Sequence, residues 1–338
     1  MPSQTAPKLT PDVLVIGAGP AGLAVCETLL RKGCSVQVID KGPIGNHIRQ
    51  YPPFMRFFST AANLMMAGFP LSCSDPQPTR REYLSYLDAF AEYHELPILP
   101  WCEAEPVRRL DDGAFSVAAK RANGEALQFR AKAVVLAVGA WEQTRRLNVP
   151  GEDLPKVHAI YLEPRDYRGQ RVLIVGGRNG AAEAALLLHR AGAQVTMAVR
   201  RSSFEGAGLK YWLRPDLENR IREGSIAAHF GAQIIRIEND AVLIRTSEGE
   251  NLRLANDFVL PQIGYDPPLD YLRACGVGIE PETNRPIHNA ATLESEVPGL
   301  YVAGVMTAGN VSGAVFIENC RNHGELIAVG LGGGRRGV

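Results

Sequence analysis

The chain has 338 residues and a mass of 36.7 kDa, a length that suits two domains of roughly 100–200 residues each. Its 36 Lys and Arg balance its 36 Asp and Glu, which excludes a general attraction to nucleic acid or an anionic membrane and leaves phosphate recognition to local sites. With 46% hydrophobic and 21% charged residues, six cysteines, and no apolar run near the roughly 18 residues of a bilayer span, disorder, a disulfide scaffold and a membrane protein are excluded, and a cytoplasmic globular protein is expected.

Residues 1–11 (MPSQTAPKLTP) carry one basic residue and no apolar core, so they read as a flexible leader and not as a signal peptide. The apolar run 12–16 ends in glycines and reads as a buried parallel strand. Residues 21–30 have helical spacing and stop at Gly33; a second strand, 35–39, ends at Asp40. This is a βαβ unit, which requires a right-handed crossover. Residues 41–71 are irregular and rich in aromatics and Pro, and 78–94 read as a helix opened by a Thr79/Glu82 capping box. Between 105 and 136 lie three β stretches, separated by turns at Asp111-Asp112-Gly113 and Asn123-Gly124; the run 133–138, ending at Gly139, reads as a strand returning to the first sheet. After Val149-Pro150-Gly151-Glu152 the pattern restarts: strand 171–175, turn at Gly176-Gly177, helix 179–191, and strand 194–199 ending at Arg200-Arg201. Further β stretches at 234–237, 241–246, 251–254 and 258–260 follow, then a strand at 299–303 ending at Gly304, a helix over 313–331 and a Gly-rich tail.

The expected fold is α/β. It has two Rossmann-like, three-layer dinucleotide-binding domains, the first split by insertion of the second, each with a small β-meander. The expected boundaries are a leader 1–11, the first domain at 12–152 and 265–331, the inserted domain at 153–264, and a tail 332–338. Two chain crossings favour a hinge.

Gly17-Ala18-Gly19-Pro20-Ala21-Gly22 fits G-x-G-x-x-G after a strand and before a helix. In that motif the first Gly makes the tight turn, the second admits a pyrophosphate, and the third lets helix and strand pack; the helix N-terminus supplies N–H groups and partial positive charge. Asp40, with Lys41 beside it, stands where a carboxylate can accept from a ribose diol. The second loop, Gly176-Gly177-Arg178-Asn179-Gly180, departs from the strict spacing, and its second strand ends in Arg200 and Arg201. Guanidinium groups there suit a 2′-phosphate and favour NADPH over NADH; solvated surface charge is the alternative. Two unlike dinucleotide sites imply a flavin and a nicotinamide in one chain.

These loops, with Ala137-Val138-Gly139, Pro150-Gly151 and Leu300-Tyr301-Val302-Ala303-Gly304, resemble the two-dinucleotide-binding flavoproteins of the thioredoxin reductase-like branch. Within the branch, Phe57-Phe58-Ser59-Thr60, the stretch Lys210-Tyr211-Trp212-Leu213-Arg214-Pro215, and Gly304-Val305 through Phe316-Ile317-Glu318-Asn319 resemble bacillithiol-disulfide reductase-like proteins. The resemblance covers about residues 12 to 331. It implies FAD in the first site, NADPH in the second, a low-molecular-weight disulfide as acceptor, and admits a homodimer. Ala137, Gly139, Gly304, Val305, Phe316 and Ile317 are then candidate flavin contacts. Where those relatives commonly have Gly-Pro-Cys-Gly, this chain has Ala21, which excludes a mixed disulfide at that position.

No Cys-x-x-Cys pair and no metal-ligand spacing occur. Cys320 follows the Phe316–Asn319 stretch, where relatives usually have Gly; in the first turn of a helix its thiol pKa would be depressed, making it the candidate catalytic residue against plain packing. Phe58, with Tyr51, Phe54 and Phe57, reads either as an apolar wall for the flavin or as core. Trp141 is a further candidate cover for the flavin. The expected activity is an NADPH-oxidising flavin reductase of a small disulfide; a ferredoxin- or flavodoxin-type NADP reductase with a small redox-protein partner, and a non-enzymatic redox sensor, remain alternatives. No F-x-G-x-x-x-H-x-x-x-W stretch supports a monooxygenase.

Overall fold

The computed structural model describes residues 8–140, 143–161, 163–311 and 314–333. Two compact units emerge, one from Met1–Gln143 with Asp266–Val338 and the other from Thr144–Tyr265.

The first unit opens with β1 (Val13–Ile16), α1 (Pro20–Arg31), β2 (Val36–Ile39) and the single turn α2 (Asn46–Arg49). There follow α3 (Arg80–Tyr93), β3 (Ile98–Leu99), β4 (Phe115–Arg121), β5 (Ala126–Ala131) and β6 (Ala133–Leu136). The second unit contributes β7 (Arg171–Val175), α4 (Asn179–Arg190), β8 (Gln194–Val199), α5 (Arg214–Arg222) and β9 (Ala227–Phe230). It continues with β10 (Gln233–Ile237), β11 (Ala241–Arg245), β12 (Asn251–Ala255) and β13 (Phe258–Pro261). Back in the first unit come β14 (Leu300–Val302), α6 (Ile317–Cys320) and α7 (His323–Gly333).

In the first unit a parallel sheet runs in the order β14-β6-β1-β2-β3. All four residues of β1 are buried because both sheet faces are covered. Val13 and Val15 face the cluster that includes Leu23 and Leu29 of α1, Tyr83 and Phe90 of α3, and Ile327 of α7. Leu14 and Ile16 face Phe115, Val117 and Phe129 of the neighbouring β4–β5 sheet. Helices, parallel sheet and meander thus form three layers around β1. The capping box is present: Thr79 N–H donates to Glu82 Oε2 at 2.7 Å and Glu82 N–H to Thr79 Oγ1 at 3.2 Å.

The second unit repeats the plan on a smaller scale. Its parallel sheet runs β9-β8-β7-β13, and the antiparallel meander β10-β11-β12 packs Ile237, Val242 and Ile244 against Leu173 and Val175 of β7.

Three local expectations differ. The leader is not wholly loose: Lys8–Leu9 form a short strand pairing with Gln128 and Phe129 of β5. The first crossing comes before the Val149-Pro150-Gly151 stretch. Leu147, Val149 and Leu154 pack into the second unit's core, and Gly151 lies so close to Ile237 that an added Cβ would fall 2.0 Å from its carbonyl oxygen. The helix expected over 313–331 is two helices, broken at Arg321-Asn322. Arg321 there turns its guanidinium to the carbonyls of Met65 (2.6 Å) and Ala62 (3.2 Å), while Gly324 of α7 sits directly on Thr28 of α1. The second helix runs through Gly333, past the expected start of the tail.

Candidate functional site

The first glycine turn joins β1 to α1 at the carboxyl edge of the sheet, where open α/β sheets bind ligands. Gly17 adopts φ +118°, and a Cβ there would lie 2.3 Å from the Ala137 carbonyl oxygen just beyond β6. At Gly22 a Cβ would stand 1.9 Å from the Gly17 carbonyl oxygen. Both glycines are therefore demanded by the protein's own backbone. Gly19 is different: a Cβ would meet nothing within 4 Å. This glycine, the helix N-cap, faces open space, and no side chain caps α1, which starts with Pro20 at its first position. Those features fit a diphosphate approaching the backbone at a helix N-terminus.

Asp40 ends β2 and ties the turn together. Its Oδ2 accepts from Ala18 N–H at 2.7 Å and its Oδ1 from Gly42 N–H at 2.8 Å. Burial raises its pKa, opposed by those two N–H groups and by Lys41. The residue expected to meet a ribose thus also holds the cradle's shape. Gly139, at φ +77°, and Gly304, at φ +86°, end the neighbouring strands. Ala21 lies under Gly304, where an added Cβ would come 3.0 Å from the Ala21 Cβ. Gly17, Ala21, Asp40, Ala137, Gly139 and Gly304 are brought together on one sheet edge; exposed Lys41 follows Asp40 directly.

Gly304 N–H donates to Nδ1 of His323 at 3.1 Å, and Val305 then begins a short 3-10 turn. Burial, with His288 nearby, lowers the His323 pKa to about 4, so the ring is neutral and Nδ1 accepts. Sequence reading missed His323; the signal was a histidine at the start of a C-terminal helix whose remaining residues, Glu325 apart, are apolar or glycine. The two distant stretches Phe57–Thr60 and Phe316–Asn319 also meet: Ser59 hydroxyl bonds the Glu318 carboxylate, next to the Arg321 contacts. Phe58 and Ile317 are half-buried and Phe316 is exposed, its N–H donating to Asn319 Oδ1 at 2.8 Å. Trp141 lies outside the described residues.

Cys320 does not behave as expected. It is the last residue of a one-turn helix and 2% exposed, and burial pushes its thiol up to about 12. The depressed thiol expected from a helix dipole is reversed by desolvation. Cys320 packs toward the Tyr83 side of the core.

The second glycine turn joins β7 to α4. Gly176, at φ +142°, would place a Cβ 2.4 Å from the Gln262 carbonyl oxygen, and Gly177 would meet Val199 Cγ1 at 2.7 Å. Arg178 takes the N-cap position that Gly19 holds in the first turn, and no side chain caps α4. Gly180 has only an ordinary contact, 3.5 Å to Gln262 Oε1. The Asn179 side chain is committed to the chain itself: Nδ2 donates to Gly208 O (3.2 Å) and Oδ1 accepts from Lys210 N–H (2.8 Å). Its role is to tether the 206–213 loop, which carries the exposed Tyr211–Trp212 ring pair, beside the turn. Arg200 and Arg201 are exposed at the end of β8, next to a hollow lined by Ser202, Ser203, Phe204, Glu218, Ile221, Arg222 and Phe230.

Another residue escaped sequence reading. Glu183 is the one acid of α4, flanked by buried alanines, and burial raises its pKa to about 7. It lies near the buried Tyr161. Its signal was a lone carboxylate within an Ala/Leu run.

The sequence from residue 14 to 304 matches the family model described as pyridine nucleotide-disulphide oxidoreductase. The chain belongs to that family. Over 315 residues it is 33% identical to the bacilliredoxin reductase of Bacillus subtilis, covering 93% of this chain and 95% of that one. A solved bacillithiol disulfide reductase from Bacillus cereus superposes with a TM-score of 0.92 at 33% identity, covering 96% and 100% of the two chains. A ferredoxin–NADP reductase of Ignicoccus hospitalis is 27% identical over 302 residues, 88% of this chain and 90% of the relative. As a family member the protein is a flavin-dependent oxidoreductase that uses FAD and NADPH. Among the described residues, no helix is long and apolar enough to cross a membrane.

Proposed function

We propose that the first unit holds FAD, the second holds NADPH, and the enzyme reduces a low-molecular-weight disulfide of the bacillithiol-disulfide type. The observation that carries this reading is the pair of unlike cradles, one closed by Asp40, the other followed by Arg200 and Arg201. The balance is NADPH + H⁺ + RSSR giving NADP⁺ + 2 RSH. Bound FAD supplies the chemistry that accepts a hydride and passes two electrons on. The glycine turn and the α1 N-terminus bind its diphosphate, Asp40 fixes the turn and meets the ribose, and the Gly304 turn, held by His323, shapes the neighbouring edge. Arg200 and Arg201 bind the 2′-phosphate of NADPH. The six cysteines are free thiols, as a reducing cytoplasm maintains them.

Ala21 and the buried Cys320 favour a second reading. With Ala at the loop position and the Cys320 thiol pushed up to about 12, neither position supplies a thiolate for a mixed disulfide. A small redox protein, taking electrons without a protein thiol, suits that arrangement, as the similarity to ferredoxin–NADP reductases also suggests.

The test is anaerobic mixing of the FAD-loaded enzyme with NADPH, followed by an acceptor screen. The leading reading expects the flavin's visible absorbance to bleach, then return with a small disulfide but not with ferredoxin. Return only with ferredoxin selects the second reading. Failure to bleach rejects both.

A further inference from the structure

We propose that His47 is a ligand of the bound flavin dinucleotide, its Nε2 donating a hydrogen bond to the diphosphate of the linker between the two ring systems. This inference rests on the placement of FAD in the first unit.

The segment carrying His47 is docked on the glycine turn. Gly45, at φ +67°, turns the chain into α2, and its N–H donates to the Ala18 carbonyl at 3.0 Å. That bond places the next turn of chain over the loop that also receives Asp40. The imidazole then lies against Gly139: a Cβ built there would meet His47 Nδ1 at 3.0 Å and Cε1 at 3.3 Å. Ala18 and Gly139 follow β1 and β6, neighbouring strands of the parallel sheet, so His47 spans the carboxyl edge where the dinucleotide's linker must cross.

Its Nε2 is buried and has no hydrogen-bond partner. Such an atom costs stability unless something satisfies it, and native interiors rarely keep one without reason. The neighbourhood says what that something is. Lys41 lies close enough to act on the ring electrostatically, and the uncapped α1 N-terminus points at the same edge. A field positive on two sides calls for an anion or a row of acceptor oxygens, and the linker of FAD offers both.

The other histidine of this unit with an unpartnered Nε2 supplies the contrast. His94 packs among Phe69, Phe90 and Tyr93, its ring centroid 4.5 Å from that of Phe90. It is a half-buried ring at the C-cap of α3, packed in an aromatic cluster away from the glycine turn.

The experiment strips FAD and titrates it back into wild type, His47→Phe, His47→Gln and His94→Phe, following flavin fluorescence, with melting of the apo forms alongside. Phe keeps the ring and removes the donor; Gln restores an amide near the Nε2 position. We expect His47→Phe to bind FAD about tenfold more weakly, His47→Gln to recover most of that loss, and His94→Phe to match wild type. Apo His47→Phe should melt no lower than wild type, since an unsatisfied donor has gone, while the rise in Tm on adding FAD shrinks. ADP, which carries the diphosphate without the flavin, should lose affinity by a similar factor. Unchanged FAD affinity in His47→Phe overturns the proposal, as does a loss matched by an equal fall in apo Tm. Unchanged ADP affinity overturns the linker contact. Wild type that binds no FAD overturns the cofactor placement itself, a result distinct from any of these.

Discussion

The two glycine turns share a strand–turn–helix frame but differ in which glycines the protein itself needs. In the first, Gly17 and Gly22 are fixed by backbone oxygens at 2.3 and 1.9 Å from a notional Cβ, while Gly19 looks onto open space. In the second, Gly176 is fixed in the same way, Ala181 stands where Gly22 would, and Arg178 replaces the open glycine. The frame demands one tight glycine at the strand end. What lies beyond that position belongs to the ligand: an aspartate and an open backbone in one unit, arginines in the other. The pattern of glycines alone therefore says "dinucleotide"; the residues around them say which.

The largest expected effect comes from pressing on the frame. Gly22→Ala drives a methyl into the Gly17 carbonyl, backbone against backbone, with no flexible side chain to yield. A cost of about 3 kcal/mol or more to the first unit is expected, with loss of FAD binding. Hydrogen exchange read separately over residues of each unit checks it: protection should fall around α1 and stay unchanged around α4. Equal loss in both units would break the comparison.

A desolvated titratable group in each unit, buried His323 and half-buried Glu183, gives the next contrast, with opposite signs. His323 titrates near 4 in the fold and about 6.5 when unfolded, so the unfolded state binds more protons between those values. Its contribution is intact above pH 6.5 and is lost as pH falls through 4, about 3 kcal/mol in all. Protonation also removes the acceptor for Gly304 N–H, so FAD should loosen only as pH falls towards 4. Glu183 runs the other way. Its folded pKa of about 7 exceeds the ordinary 4.5, so the folded form holds the proton and stability falls as pH rises from 4.5 to 7. Glu183→Gln should remove that slope and stabilise the second unit by about 2–3 kcal/mol at pH 8. Exchange rates followed from pH 4 to 8 check both; parallel slopes in the two units would contradict the assignment.

How much of this was legible in the sequence follows from the range of the forces. The βαβ frames, the Asp40 position and the capping box at Thr79 depend on neighbours within some twenty residues, and spacing reveals them. The meeting of Gly17 with Ala137, Ala21 with Gly304, and Ser59 with Glu318 depends on strand order, which no local pattern states. Cys320 shows the penalty for reading a thiol by helix position alone: desolvation outweighed the dipole. Asn179 looked like a cofactor contact because it follows a glycine pair, yet its amide serves a loop some thirty residues away. His47 gave no signal at all, since an unpartnered nitrogen is a property of packing.

A smaller effect tests the arginines. Arg200→Ala should weaken NADPH about 10- to 100-fold and leave NADH nearly unchanged, because the removed guanidinium pairs only with the 2′-phosphate. Titration with each nucleotide, followed by quenching of protein fluorescence, measures it. Equal losses would mean that Arg200 serves the protein surface and that discrimination lies elsewhere.

The smallest effect completes the contrast between the turns. Gly180 occupies the second position of α4, as Ala21 does in α1, and a Cβ there would rest 3.5 Å from Gln262 Oε1, an ordinary contact. Alanine is also the better helix former, which offsets any adjustment of the Gln262 side chain. Gly180→Ala should therefore change the second unit's stability by no more than about 0.5 kcal/mol. NADPH affinity should hold as well, because Ala21 shows that a methyl at this position is compatible with an intact turn. If Gly180→Ala instead abolished NADPH binding while leaving the fold intact, the nucleotide would have to approach the second helix more closely than the first turn's geometry implies, and the two cradles could no longer be read as one frame with different ligands.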